Sequence, residues 1–153
     1  MSKAFGLAGI RLGFAISSNT HLIQLMNNVK APYNINQLTS DLALSVLSSE
    51  SSLDTMRTHL SQILSERLFL EKSLAALPFV TKVYPSDANV ILFCLEHSAH
   101  EAYKIMADTG AVVTRFRGNE IHCEECIRVT VGTPEENKAF LEQLTYAWDK
   151  INQ

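Results

Sequence analysis

Long apolar runs are missing from this chain: none approaches the roughly eighteen residues a bilayer-spanning helix needs. The segment Met1 to Phe14 also lacks the cleavable small-residue tail of a signal peptide. A cytoplasmic protein is expected. Charge of one sign is lacking too, since 13 Lys and Arg face 16 Asp and Glu for a net −3. That balance excludes a broad electrostatic footprint for a nucleic-acid backbone or an anionic membrane. Any anion that binds must be held by a few placed side chains. Cysteine is scarce, with three residues, two of them at the Cys123-x-x-Cys126 spacing. An odd and small number does not make a disulfide framework, so free thiols in a reducing compartment are expected. With only six glycines and four prolines there is no low-complexity tract, no repeat and no flexible linker.

What is present is a globular composition, 46% apolar and 19% charged over 153 residues. A chain of that length can bury roughly two thirds of its unfolded surface in one core. Leu12 to Ile16, closed by Ser17, Ser18 and Asn19, reads as a buried strand. Thr20 is a candidate cap for a helix through Asn28 that Pro32 stops, and Asn36 can cap a second helix carrying Leu38, Leu42, Ala43, Val46 and Leu47. From Leu53 to Leu77 apolar residues recur at steps of three and four, which predicts one long amphipathic helix ended by Pro78. Strands are expected over Val80 to Tyr84, Asn89 to Leu95, Ala111 to Phe116 and Ile127 to Val131. Between them, a helix from Ser98 to Asp108 stops at Gly110, which fits a glycine just past a helix end. A last helix opens with Thr133, Pro134 and Glu136, a capping box. The order after residue 53 implies an α/β sandwich with helices on a small sheet. The first fifty residues fall outside that pattern and read as the tail of another domain, cut at Met1 and joined by the long helix.

Four places are candidates for chemistry. The opening run Ser2-Lys3-Ala4-Phe5-Gly6-Leu7-Ala8-Gly9-Ile10-Arg11-Leu12-Gly13 supplies an amine, a hydroxyl and a guanidinium among small residues. An aldehyde needs such an amine to form a covalent link, and a phosphate suits the arginine fork and the hydroxyl. A lysine this near a chain end is, taken alone, more often simply solvated. Arg128 is a lone charge inside Cys126-Ile127-Arg128-Val129-Thr130-Val131. If that strand is buried, the arginine must be paired or face a ligand; on an edge strand it points to water. Asn89 could close the turn before its strand or lie near a substrate. His122-Cys123-Glu124-Glu125-Cys126 offers soft ligands, but no second knuckle accompanies it, so no metal site is assigned. His21, His59, His97 and His100, with Glu66, Glu71, Glu135 and Glu136, read as solvated or capping residues.

The opening run resembles the cofactor-lysine signature of fold-type I aminotransferases, down to the eight-residue separation of Lys3 and Arg11. Lys30-Ala31-Pro32-Tyr33-Asn34, Ser86-Asp87-Ala88-Asn89-Val90 and Ile127 to Asn137 are similar to segments of the histidinol-phosphate branch, in the same order and over essentially the whole chain. The resemblance implies pyridoxal 5'-phosphate as cofactor, held covalently by Lys3, with Arg11 and Ser2 on its phosphate. It implies that Arg128 and Arg115, thirteen residues apart, bind the anionic end of the substrate, with Arg117 close by and Asn89 near. Its fold would be the end of the large cofactor domain, residues 1–52, followed by a small α/β sandwich domain, residues 53–153. Its reaction would be amino transfer from histidinol phosphate to 2-oxoglutarate, giving glutamate, in a homodimer. The family's ring-nitrogen aspartate and stacking aromatic have no counterpart here, so this chain alone is expected not to bind the cofactor productively. Two alternatives stand beside it. One is a sibling aminotransferase or phospho-amino-acid decarboxylase. The other is a non-catalytic binding domain, which should show no large exposed apolar patch over its first fifty residues.

Overall fold

Caps and turns written into the sequence set most element boundaries. In the computed structural model, which describes residues 1–110 and 112–153, the elements run in the order helix, helix, helix, strand, strand, helix, strand, strand, helix after a single 3-10 turn at Ala8–Ile10. They fall into two compact units, residues 1–60 and 61–153.

The first unit holds α1 (Thr20–Val29), α2 (Gln37–Leu47) and the start of α3 (Glu50–Ala75). Asn19, not Thr20, caps α1: its side chain accepts from the Leu22 N–H at 3.1 Å. Asn36 caps α2 as its position suggests, accepting from the Thr39 N–H at 2.8 Å. α3 starts three residues earlier than the apolar periodicity indicates, because the Ser49 hydroxyl accepts from the Ser52 N–H and lets Glu50 enter the first turn. The expected strand over Leu12 to Ile16 does not form. Leu12 is buried, but Phe14 is 64% and Ile16 96% exposed. A strand needs a neighbour to take its backbone hydrogen bonds, and none lies beside this segment among the described residues. The apolar faces of α1 and α2 are likewise uncovered: Leu22, Leu25, Met26, Val29 and Leu38 are all exposed.

The second unit is a four-stranded antiparallel sheet backed by helices. Its strands are β1 (Val80–Val83), β2 (Val90–Leu95), β3 (Arg115–Phe116) and β4 (Cys126–Thr130), in spatial order β1-β2-β4-β3. Only the last two residues of the strand expected over 111–116 pair in the sheet, and Ala111 lies outside the described residues. The helices are the second half of α3, α4 (Ala99–Gly110) and α5 (Pro134–Ile151). Alternation along the strands sends Ile91, Phe93, Leu95, Ile127 and Val129 into a core with Leu70 and Leu74 of α3, Ala102 and Met106 of α4, and Phe140 and Leu144 of α5. Each such fully buried aliphatic side chain contributes about 1.5–3 kcal/mol. Leu92, Arg128 and Thr130 therefore project from the opposite face.

Two local readings are corrected here. Gly110 is the last residue of α4 and not the residue beyond it, and its φ is not left-handed, so it is not a left-handed cap. Glu66 is no solvated face residue, since its carboxylate accepts from the buried Asn137 Nδ2 at 2.8 Å. The capping box at Thr133 and Glu136 is formed in both directions.

Candidate functional site

Within residues 1–60, the lysine motif is a run of tight turns. The Gly6 N–H donates to Lys3 O at 3.0 Å with Gly6 at φ 64°, a left-handed conformation that a side chain would strain. Arg11 also adopts a left-handed conformation at the end of the 3-10 turn, and its guanidinium donates back to Ala8 O at 3.1 Å. Lys3 and Arg11 are exposed and Ser2 is half-buried. The Lys3 amine makes no hydrogen bond or ion pair with the described residues. A Cβ added at Gly6, Gly9 or Gly13 would meet nothing within 4 Å, so the backbone around these polar groups is open.

Within residues 61–153, the open face of the sheet holds a pocket of about 340 Å³ lined by Tyr84, Ser86, Arg117, Glu120, Cys123 and Arg128, among others. Arg128 sits in the middle of β4, paired with Leu92 of β2 on one side and Arg115 of β3 on the other. The register thus puts the two arginines expected to hold an anion directly side by side. Neighbouring like charges disfavour one another, and an anion between them relieves that repulsion. Arg115 is exposed and does not line the pocket; Arg117 does. Its backbone N–H donates to Cys126 O at 2.8 Å, extending the ladder and turning its side chain to the same face. The thirteen-residue spacing favours Arg115 over Arg117, whereas the pocket lining holds Arg117 and not Arg115.

Asn89 does not close the turn before β2 with its side chain. Ser86 does, donating to Val90 O at 2.6 Å and accepting from the Ala88 N–H at 3.1 Å. The Asn89 carbonyl accepts from the Val131 N–H at 2.9 Å and so fixes the end of β4 beyond Arg128. Arg67 donates to Ala88 O at 3.2 Å and ties the same turn to α3.

The expectation of free thiols is overturned for two of the three cysteines. Cys94 and Cys126 lie opposite each other on β2 and β4, with Cα atoms 4.1 Å apart, and form a disulfide; Cys123 is free. The pair is 32 residues apart in sequence, and only the strand register brings it together. The Cys123-x-x-Cys126 spacing is a turn, with the Cys126 N–H donating to Cys123 O at 3.0 Å. Among the described residues no three His, Cys, Asp or Glu side chains gather as metal ligands.

A mixed α/β protein with a guanidinium-lined pocket on its small sheet and an unpaired lysine in a glycine-rich turn is the class these features define. The chain belongs to the aminotransferase class I and II family, whose model matches residues 1–144. It is similar to a histidinol-phosphate aminotransferase of Christiangramia forsetii, 43% identical over 141 residues that are 92% of this chain and 39% of that protein. Its fold is similar to that of the histidinol-phosphate aminotransferase from Clostridium acetobutylicum, with a TM-score of 0.83 over 98% of this chain and 44% of that one at 24% identity. A decarboxylase from Sulfurospirillum multivorans is also similar, with a TM-score of 0.76 and 26% identity over 92% of this chain and 40% of that one. The chain spans about two fifths of the length of the curated relatives it matches.

Proposed function

We propose that the protein carrying this chain transfers an amino group between histidinol phosphate and 2-oxoglutarate, using pyridoxal 5'-phosphate, in the cytoplasm and as a homodimer. The observation that carries the reading is the anion pocket on β4: Arg128 and Arg117 line it and Arg115 is next to Arg128 in register. One substrate presents a phosphate and the other a side-chain carboxylate, so a single guanidinium pocket can serve both. Relatives such as the Christiangramia forsetii protein bear the name of this activity. No helix of the described residues is long and apolar enough to cross a membrane.

The donor set of the opening turn fits the cofactor. Lys3 supplies the amine for its aldehyde, and Arg11 and Ser2 supply a guanidinium and a hydroxyl for its phosphate, around glycines whose backbone is open. When bound, the cofactor supplies the electron sink for bond breaking at the substrate's α-carbon. Lys3 would hold it in place and would move the α-proton on its Nζ; Arg128 and Arg117, which line the pocket, with Arg115 next to Arg128 in register, would orient the substrate by its anionic end, and Asn89 would serve from the β2 entry, where its carbonyl fixes the end of β4. On this reading residues 1–52 are the end of the large domain and residues 53–153 form the small domain; the compact units of the fold divide later, at residue 60 within α3.

A non-catalytic binding domain that folds alone is expected to show no large exposed apolar patch over its first fifty residues. Phe14, Ile16, Val29, Tyr33 and Leu38 are instead widely exposed. A decarboxylase remains a second reading because the Sulfurospirillum multivorans neighbour is one. The full-length protein, supplied with histidinol phosphate and 2-oxoglutarate, should form glutamate without releasing carbon dioxide. Release of carbon dioxide from a phospho-amino acid, with no glutamate formed, would replace amino transfer with decarboxylation.

A further inference from the structure

The pocket on the open face of the sheet contains a carboxylate that no anion-binding role explains. Glu120 lines it together with Arg117 and Arg128. A turn fixes it there: the Glu120 N–H donates to Arg117 O at 2.9 Å, and the Arg117 guanidinium donates to the Glu120 carboxylate at 2.5 Å. The two side chains are 31% and 56% exposed. An ion pair this open shifts an equilibrium by about fivefold at most. It is too weak to withdraw Arg117 from a ligand. It is also too close for a ligand to escape its charge.

We propose that Glu120 determines specificity by tempering this pocket, narrowing its preference between a phosphate monoester and a carboxylate. The inference rests on the reading that both anions use the pocket. Coulomb energy scales with the product of the charges. A phosphate monoester carries about −1.5 to −2 near neutral pH, against one negative charge on a carboxylate. Arg117 and Arg128 alone therefore favour the phosphate by up to twice the electrostatic energy. Glu120 opposes the phosphate by the same ratio, so it takes more from the tighter ligand than from the weaker one. A transferase that alternates between the two anions must bind and release both, and an internal counter-ion evens them. The other titratable groups facing the pocket are Tyr84, from the segment after β1, and Cys123, from the loop before β4. Arg115 flanks it in register with Arg128.

Phenyl phosphate and benzoate test this, because they share an apolar ring and differ in the charge of the head group. The full-length protein with its cofactor is titrated with each by calorimetry, as wild type and as Glu120→Gln. Glu120 is exposed, so the substitution leaves the packing intact. The benzoate dissociation constant should fall about threefold and that of phenyl phosphate about tenfold at about pH 7.5, one step against two on a logarithmic scale. At about pH 5 the phosphate is close to a monoanion and the two gains should converge. Arg117→Gln should act with the opposite sign, weakening phenyl phosphate more than benzoate. Equal gains, or none, with the wild type binding both anions would overturn the role of Glu120 and leave the pocket reading standing. A wild-type protein that binds neither anion would overturn the pocket reading and this inference with it.

Discussion

Replacing Asn137 by alanine should cost this protein about 3–4 kcal/mol of stability, a large effect for a single polar side chain. Asn137 is only 2% exposed. Its Nδ2 donates to Glu66 Oε2 at 2.8 Å and to Gly132 O at 3.2 Å, and its Oδ1 accepts from the Gly132 N–H at 2.9 Å. A hydrogen bond to a charged partner is worth about 1.5–3 kcal/mol and a neutral one about 1 kcal/mol. The substitution also leaves the Gly132 amide and the half-buried Glu66 carboxylate without this partner. At about 2–4 °C per kcal/mol for a chain of this size, the midpoint of thermal unfolding should fall by roughly 10 °C. Circular dichroism melts of Asn137→Ala, Glu66→Ala and the double variant measure it. The pair should show a coupling energy of about 1–2 kcal/mol. A loss below about 1 kcal/mol in Asn137→Ala, or strict additivity, would refute the idea that this network fastens the β4–α5 turn to α3.

Two further outcomes follow from local geometry. A thiol reagent applied to the unreduced, unfolded protein should find one reactive cysteine per chain, Cys123, and three after reduction; three before reduction would contradict the Cys94–Cys126 bond. Thr133→Ala removes the hydroxyl that accepts from the Glu136 N–H and should lower stability by about 1 kcal/mol in a denaturant titration, with Thr133→Ser restoring most of it.

Elements defined by contacts close in sequence were readable from sequence. Asn36 and Thr133 cap their helices through bonds to residues three positions on, and the period of the long helix is carried by its own spacing. Elements that depend on a distant partner were not. Leu12 to Ile16 has the composition of a buried strand, but composition cannot supply a neighbouring strand. Cys94 and Cys126 needed the β2–β4 register, and Glu66 needed Asn137, 71 positions away. The candidate site divides the same way. Lys3, Arg11 and Arg128 stand out by motif. The entry of Arg117 and Glu120 into the pocket depends on a turn closed by backbone hydrogen bonds, which no spacing rule marks.

The central claim is that Lys3 is the residue that holds pyridoxal 5'-phosphate. Borohydride reduction of the full-length protein with its cofactor, followed by peptide mass mapping, tests it most directly. The account predicts a pyridoxyl group fixed on Lys3 and absent from Lys3→Ala. A label on Lys30 or another lysine, or none in a protein that still transfers amino groups, would contradict it.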